Sequence, residues 1–156
     1  MLLTLQVYRE DVRSERLQDH QEAVAAAVQA EAVMAPRPGQ EWVALMLTVA
    51  SNETHFSLRI FDGACRPHEC DHGRAKGLWQ IHANALNRDT WAKQDGDISL
   101  QAHLASDALK RAYWTCSRSG VPWLQGTLNA FAGRRCGDTW PGLGVRLATY
   151  QRLTNG

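Results

Sequence analysis

The chain has 156 residues, enough for one domain with its own core. Its 44% apolar and 21% charged content is ordinary for a soluble globular protein, and its net charge of +1 comes without the dense basic clusters of nucleic-acid binders. The longest uncharged apolar stretch, Trp42 to Ala50, falls far short of the roughly 20 residues a membrane-spanning helix needs.

Met1-Leu2-Leu3 is followed by Gln6, Arg9, Glu10 and Asp11, so no apolar signal region is visible. The chain is expected to be cytosolic at synthesis, to lack its signal here, or to leave by another route. Asp19 to Ala35 is rich in alanine and free of Gly and Pro, which predicts a helix. Pro36-Arg37-Pro38-Gly39 ends it. Residues 1–38 thus read as an N-terminal helical segment packing on the rest, residues 39–156.

A second helix is predicted over 41–53, where Trp42, Leu45, Met46 and Val49 form an apolar stripe. Residues 61–76 hold six charged residues, two glycines, Cys65 and Cys70, and read as an irregular loop or small hairpin. A further helix is predicted to start in Gly77-Leu78-Trp79-Gln80-Ile81-His82 and run toward Trp91. Asp97 suits the cap of a helix whose face carries Leu100, Leu104, Ala108, Ala112 and Cys116, with Ser119-Gly120 as its stop. Pro122 suits the first turn of another helix and Gly133 its end, and 142–153 reads as the last. The expected fold is mainly α with one short loop or hairpin excursion. There is no internal repeat and no long strand.

Four cysteines allow three pairings. Cys65 and Cys70 are close, with Pro67 to turn the loop between them, and Cys116 and Cys136 flank a turn and a helix, so 65–70 and 116–136 are the expected pairs. Two disulfides imply an oxidising compartment; free cytosolic thiols are the alternative. Cys65, His68, Cys70 and His72 also make a compact string with zinc-ligand residue types. Alternating ligands on one short loop close a tetrahedron poorly, so no metal is expected.

Glu53 is the most informative residue. It lies four residues beyond Val49 and so continues the apolar stripe. A carboxylate there is costly unless paired, neutralised or useful. Partial desolvation would raise its pKa, as a general acid requires. The other reading ends the helix at Ser51 or Asn52 and makes Glu53 a cap or turn residue.

Three separated segments carry a resemblance: Glu53-Thr54-His55-Phe56, then Gly77-Leu78-Trp79-Gln80-Ile81, then Asn129-Ala130-Phe131-Ala132-Gly133. In order and spacing they resemble the lysozyme-like lytic transglycosylases, a group that includes the goose-type lysozymes. That family's pattern is Glu-Ser-x-Phe after a helix, Gly-Leu-Met-Gln with an apolar residue, and Ala-Tyr-Asn-x-Gly. Here Thr54 replaces the serine, Trp79 the methionine and Phe131 the tyrosine, and the third motif is one residue short of its asparagine. The resemblance covers roughly residues 40–153 and makes 39–156 the expected lysozyme-like catalytic domain.

The resemblance implies cleavage of the β-1,4 bond between N-acetylmuramic acid and N-acetylglucosamine in peptidoglycan. Glu53 would protonate the glycosidic oxygen and then act as base. No second carboxylate or cofactor would be needed, and the product would be a 1,6-anhydro sugar. Gln80 would reach substrate beside Glu53. Trp79 and Ile81 would wall a sugar ring, or Trp79 would fill the core. Phe131 would pack next to Glu53, and Tyr150 would lie near the acid or in the core. Asp71 and Asp62 are the candidates to activate water in a lysozyme-type alternative; each also reads as a turn or loop aspartate. A non-catalytic wall-binding module on the same fold is a further alternative. The expected partner is the glycan strand, met by a monomer in the periplasm or outside the cell, as by a phage lysin or virion enzyme. The excess of seven basic over one acidic residue in 110–156 would suit an anionic polymer, or is a solvated face.

Overall fold

The computed structural model describes residues 14–66, 68–84 and 86–155. Residues 1–13 of the N-terminal segment and the Pro67 turn lie outside the described residues. The chain is mainly helical, with seven α-helices and one two-stranded antiparallel sheet among the described residues. No helix there is long and apolar enough to cross a membrane.

Helix α1 runs Ser14–Ala32 and α2 runs Gly39–Thr54. The first ends three residues before the expected Ala35: Val33 and Met34 form a turn, and Pro36 disfavours helical geometry at Ala35 itself. Val24, Ala27, Val28 and Ala32 of α1 join the same core cluster as Trp42, Leu45, Met46 and Val49 of α2. After α2 come a single turn, α3 (Leu58–Phe61), and a 3₁₀ turn at Asp71–Gly73.

Residues 77–91 are not the expected helix. Strands β1 (Ala75–Lys76) and β2 (Ile81–His82) pair antiparallel, Ala75 with His82 and Lys76 with Ile81, and Gly77 to Gln80 form the turn between them. The hairpin therefore lies later than the expected 61–76. Gly77 at φ +71° and Gln80 at φ +52° are left-handed, which a continuing right-handed helix excludes. Only α4, Arg88–Ala92, remains of that helix.

Helix α5 (Ile98–Cys116) carries the expected cap: the Asp97 carboxylate accepts from the Leu100 amide at 2.9 Å. Leu104, Ala105, Leu109 and Ala112 bury one face of it. Helix α6 (Trp123–Phe131) starts just after Pro122 and ends two residues before Gly133, and α7 spans Pro141–Asn155. α6 packs on α5, α7 on α2, and α1 on both α2 and α5.

Both expected disulfides are present, Cys65–Cys70 and Cys116–Cys136, with Cα atoms 5.9 and 5.6 Å apart. They fit an oxidising compartment. The sulfurs of Cys65 and Cys70 are thereby consumed, so neither can serve as a thiolate ligand for zinc.

The two bridges should differ in worth. Cys116–Cys136 closes a 20-residue separation and Cys65–Cys70 one of 5. Loop-closure entropy gives about 3 kcal/mol for the first and about 2 for the second. Urea unfolding of the paired Cys→Ala variants should reproduce that order. An equal or reversed loss would show that the chain-entropy account fails here.

Candidate active site

Glu53 lies in the last turn of α2, one residue before its end, and so is neither cap nor turn. Its side chain is 23% exposed and meets Arg146 of α7, itself 12% exposed, with Arg146 Nη2 donating to Glu53 Oε1 at 2.6 Å. The cost of placing a carboxylate on the apolar stripe is thus met by charge pairing. The chain reverses just beyond it. His55 and Phe56 are both left-handed, at φ 49° and 57°, and Phe56 is buried. Two consecutive non-glycine residues in that region cost roughly 1 kcal/mol or more each. They fix the end of α2 beside the hairpin.

The hairpin turn is held from two sides. The Leu78 amide donates to Gln101 Oε1 at 3.0 Å, and the Leu78 carbonyl accepts from Thr54 Oγ1 at 2.9 Å. Gln101 is buried, and its amide nitrogen also donates to the carbonyls of Phe61 and Gln94. A Cβ at residue 77 would stand 2.8 Å from the side-chain oxygens of Gln94 and Gln101, so Gly77 is required by close approach as well as by φ. Leu78 and Trp79 are pins of the core. Trp79 is 1% exposed and donates its indole N–H to the Met46 carbonyl at 2.8 Å, so it walls no cleft. Gln80 turns the other way and donates to the Gly77 carbonyl at 3.0 Å.

The segment between α6 and α7 hangs on one buried amide. Asn129 Nδ2 donates to the carbonyls of Cys136 and Asp138, both at 2.8 Å, and Asn129 Oδ1 accepts from Trp140 Nε1 at 2.7 Å. The Asn129 side chain is thus taken up in organising this loop. Trp140 lies where a Cβ on residue 142 would come within 1.9 Å of its ring, so Gly142 makes room for the indole. The guanidinium carbons of Arg134 and Arg146 lie 4.6 and 5.2 Å from that ring's centre.

These elements enclose a cleft of about 670 Å³ lined by Glu53, Gln80, Phe131, Asp71, Glu69, His68, His82, Gly133, Arg134, Trp140 and Arg146, among others. Of the residues expected from sequence, it gathers Glu53, Gln80, Phe131 and Asp71. Ile81 lines an adjoining groove of about 420 Å³ that shares Gln80, His82, Phe131 and Arg134 with the cleft. Tyr150 is not at the cleft: it is buried in the core, edge-on to Trp123 at 6.0 Å, and burial pushes its phenol pKa up. Asp62 is the residue after α3, with its amide bonded to the Leu58 carbonyl, and lines neither space.

The other carboxylates in the cleft are engaged. Asp71 pairs with Arg74 at 2.9 Å, with His82 Nε2 at 3.8 Å. Glu69 takes both terminal nitrogens of Arg59 and the Arg66 amide. The Arg59 hydrogen bonds, then the Arg66 amide, hold its carboxyl at about 2 against an ordinary 4.5. Sequence reasoning missed Arg146, Arg134, Trp140 and Glu69. The basic excess of the C-terminal third was the available signal for the arginines, but nothing local placed Arg146 opposite a residue 93 positions earlier.

Two outcomes test this electrostatic arrangement. Arg146→Met should leave Glu53 unpaired and lower unfolding free energy by about 2 kcal/mol, while Arg146→Met with Glu53→Gln should recover part of it in a double-mutant cycle. Glu69 has a depressed folded pKa, so its contribution is present above pH 4.5 and fades as pH falls toward 2. The difference in Tm between wild type and Glu69→Gln should be constant above the upper limit and close between the two. No family model, curated protein or solved structure matches this chain.

Proposed function

We propose that the protein degrades peptidoglycan, cleaving the β-1,4 bond between N-acetylmuramic acid and N-acetylglucosamine as a lytic transglycosylase. The observation that carries this reading is that Glu53, Gln80 and Phe131, one from each of three separated motifs, line a single cleft. A volume of about 670 Å³ suits a ligand of a few sugar rings.

Glu53 is the acid and then the base. It protonates the glycosidic oxygen as the substrate's own acetamido group attacks the anomeric carbon. The carboxylate that results then takes the proton of the 6-hydroxyl, and the 6-oxygen attacks the anomeric carbon and displaces the acetamido oxygen, which closes the 1,6-anhydro ring without water. Acid catalysis needs the proton on Glu53, so the pair with Arg146 has to loosen as substrate enters. Glu53 Oε2 makes no hydrogen bond among the described residues and is the oxygen left to face the leaving group. Gln80 adds an amide beside the scissile bond, and Phe131 contributes apolar wall. Glu69 and Asp71 are committed to Arg59 and Arg74, which favours a mechanism with one working carboxylate.

A second reading is a muramidase in which Asp71 activates water, since Asp71 shares the cleft with Glu53. Asp62, outside the cleft, no longer suits that role.

Mass spectrometry of muropeptides released from purified peptidoglycan separates these readings. Anhydro-muramic products, lighter by one water and lost in a folded Glu53→Gln variant, are the expected result. Hydrated reducing ends lost on Asp71→Asn would establish the muramidase. Release that persists in Glu53→Gln would remove Glu53 from the chemistry, and no release by wild type would leave a wall-binding module.

A further inference from the structure

The last turns of α5 face two ways. Leu109, Ala112 and Cys116 turn into the protein and are buried. Trp114 falls on the opposite side of the helix and is 63% exposed. The chain has six tryptophans, and the other five are buried, as Trp42 and Trp79, or partly buried, as Trp91, Trp123 and Trp140. An indole left in water forgoes the burial that the fold obtains for the others.

Cations surround this indole. Lys110 and Arg111 stand four and three residues before it and Arg118 four after it, spacings that make side chains neighbours on a helix surface. None of the three makes an ion pair among the described residues. Between Asp107 and Asp138 the sequence holds no acidic residue. Those two border acids have partners of their own, Asp107 in His103 at 3.6 Å and Asp138 in Arg135 at 3.7 Å. The Cys116–Cys136 disulfide draws a second part of the acid-free stretch against the helix end. Val121 Cγ2 lies 3.6 Å from where a Cβ on Gly137 would stand, so the turn after α5 packs on the tethered segment. The result is a surface of one sign around a bulky apolar ring.

Trp114 lines neither the cleft nor the adjoining groove. Small ligands are recognised by enclosure, which a protruding side chain does not provide. A fluid layer conforms to such a side chain. Tryptophan is favoured where water meets an apolar medium, and basic residues beside it gain from negatively charged headgroups. No helix among the described residues is long and apolar enough to cross a bilayer, so the contact that fits is at its surface.

We propose that this end of α5 docks on a membrane surface rich in anionic lipid, with Trp114 entering the headgroup layer and Lys110, Arg111 and Arg118 meeting lipid phosphates. The proposal does not rest on the chemistry of the cleft.

The test is co-sedimentation of the full, oxidised chain with vesicles of phosphatidylcholine alone and with vesicles in which phosphatidylglycerol is about a third of the lipid. Wild type should bind the anionic vesicles at least about tenfold more tightly, and raising salt from about 0.1 M to about 0.5 M should remove most of that binding. Trp114→Ala should weaken it about tenfold. Lys110→Gln combined with Arg118→Gln should weaken it more, by about fivefold for each charge removed. Both variants should keep the wild-type circular dichroism spectrum, because the side chains they replace are exposed or half-buried. Val145→Ala, which trims another exposed apolar side chain, should bind as wild type does. No binding of anionic vesicles by wild type, equal binding of both vesicles, or binding indifferent to Trp114→Ala or to the double charge variant would each overturn the proposal. Retention by purified cell-wall sacculi that requires Trp114, without retention by vesicles, would give the face to the wall polymer and overturn it as well.

Discussion

The residue on which the site depends most is Leu78, although it touches nothing in the cleft. Its amide is bonded by Gln101 from α5 and its carbonyl by Thr54 from the end of α2. Leu78 and Trp79 are buried on either side of those bonds. One peptide segment is thus clamped between two helices. The clamp sets where the next residue, Gln80, stands relative to Glu53, the residue before Thr54. Buried hydrogen bonds of this kind are stringent, because a lost partner leaves a polar group stranded away from water. Thr54 supplies the hydroxyl that the clamp requires.

A second set of bonds does for the opposite wall what the Leu78 clamp does for the hairpin. Asn129 spends its whole side chain on the 136–140 segment, and the disulfide to α5 ties the same segment covalently. The cleft is therefore a gap between two separately braced walls, with α2 delivering Glu53 from below. Around that gap each acid is matched by an arginine, and Arg134 remains over.

Helices were legible in the sequence wherever apolar residues recur with helical spacing and a proline, glycine or aspartate marks the end. The stripe from Trp42 to Val49 and the Asp97 cap are examples. The stretch from Gly77 was misread because Leu78, Trp79 and Ile81 are apolar and local periodicity does not register what their backbone bonds to. The Leu78 amide goes to a glutamine side chain 23 residues away, and that contact decides the turn. The same limit applies to the site. Glu53, Gln80 and Phe131 stood out through short local motifs. Arg146 and Trp140 matter only through tertiary contact, and Tyr150 carried no local sign that it faces Trp123 in the core instead of the cleft.

The bridge between Cys116 and Cys136 has a consequence for where the cleft can exist in its final form. It fastens the wall that bears Arg134 to the end of α5, and no other disulfide holds that wall among the described residues. Before oxidation, the same segment is held by noncovalent contacts only, chiefly the Asn129 bonds and the packing of Trp140. The finished shape of the cleft is thus a record of the redox history of the chain, and a copy kept among reducing thiols would carry a slack wall. The bond thus makes the firmness of that wall conditional on an oxidising space.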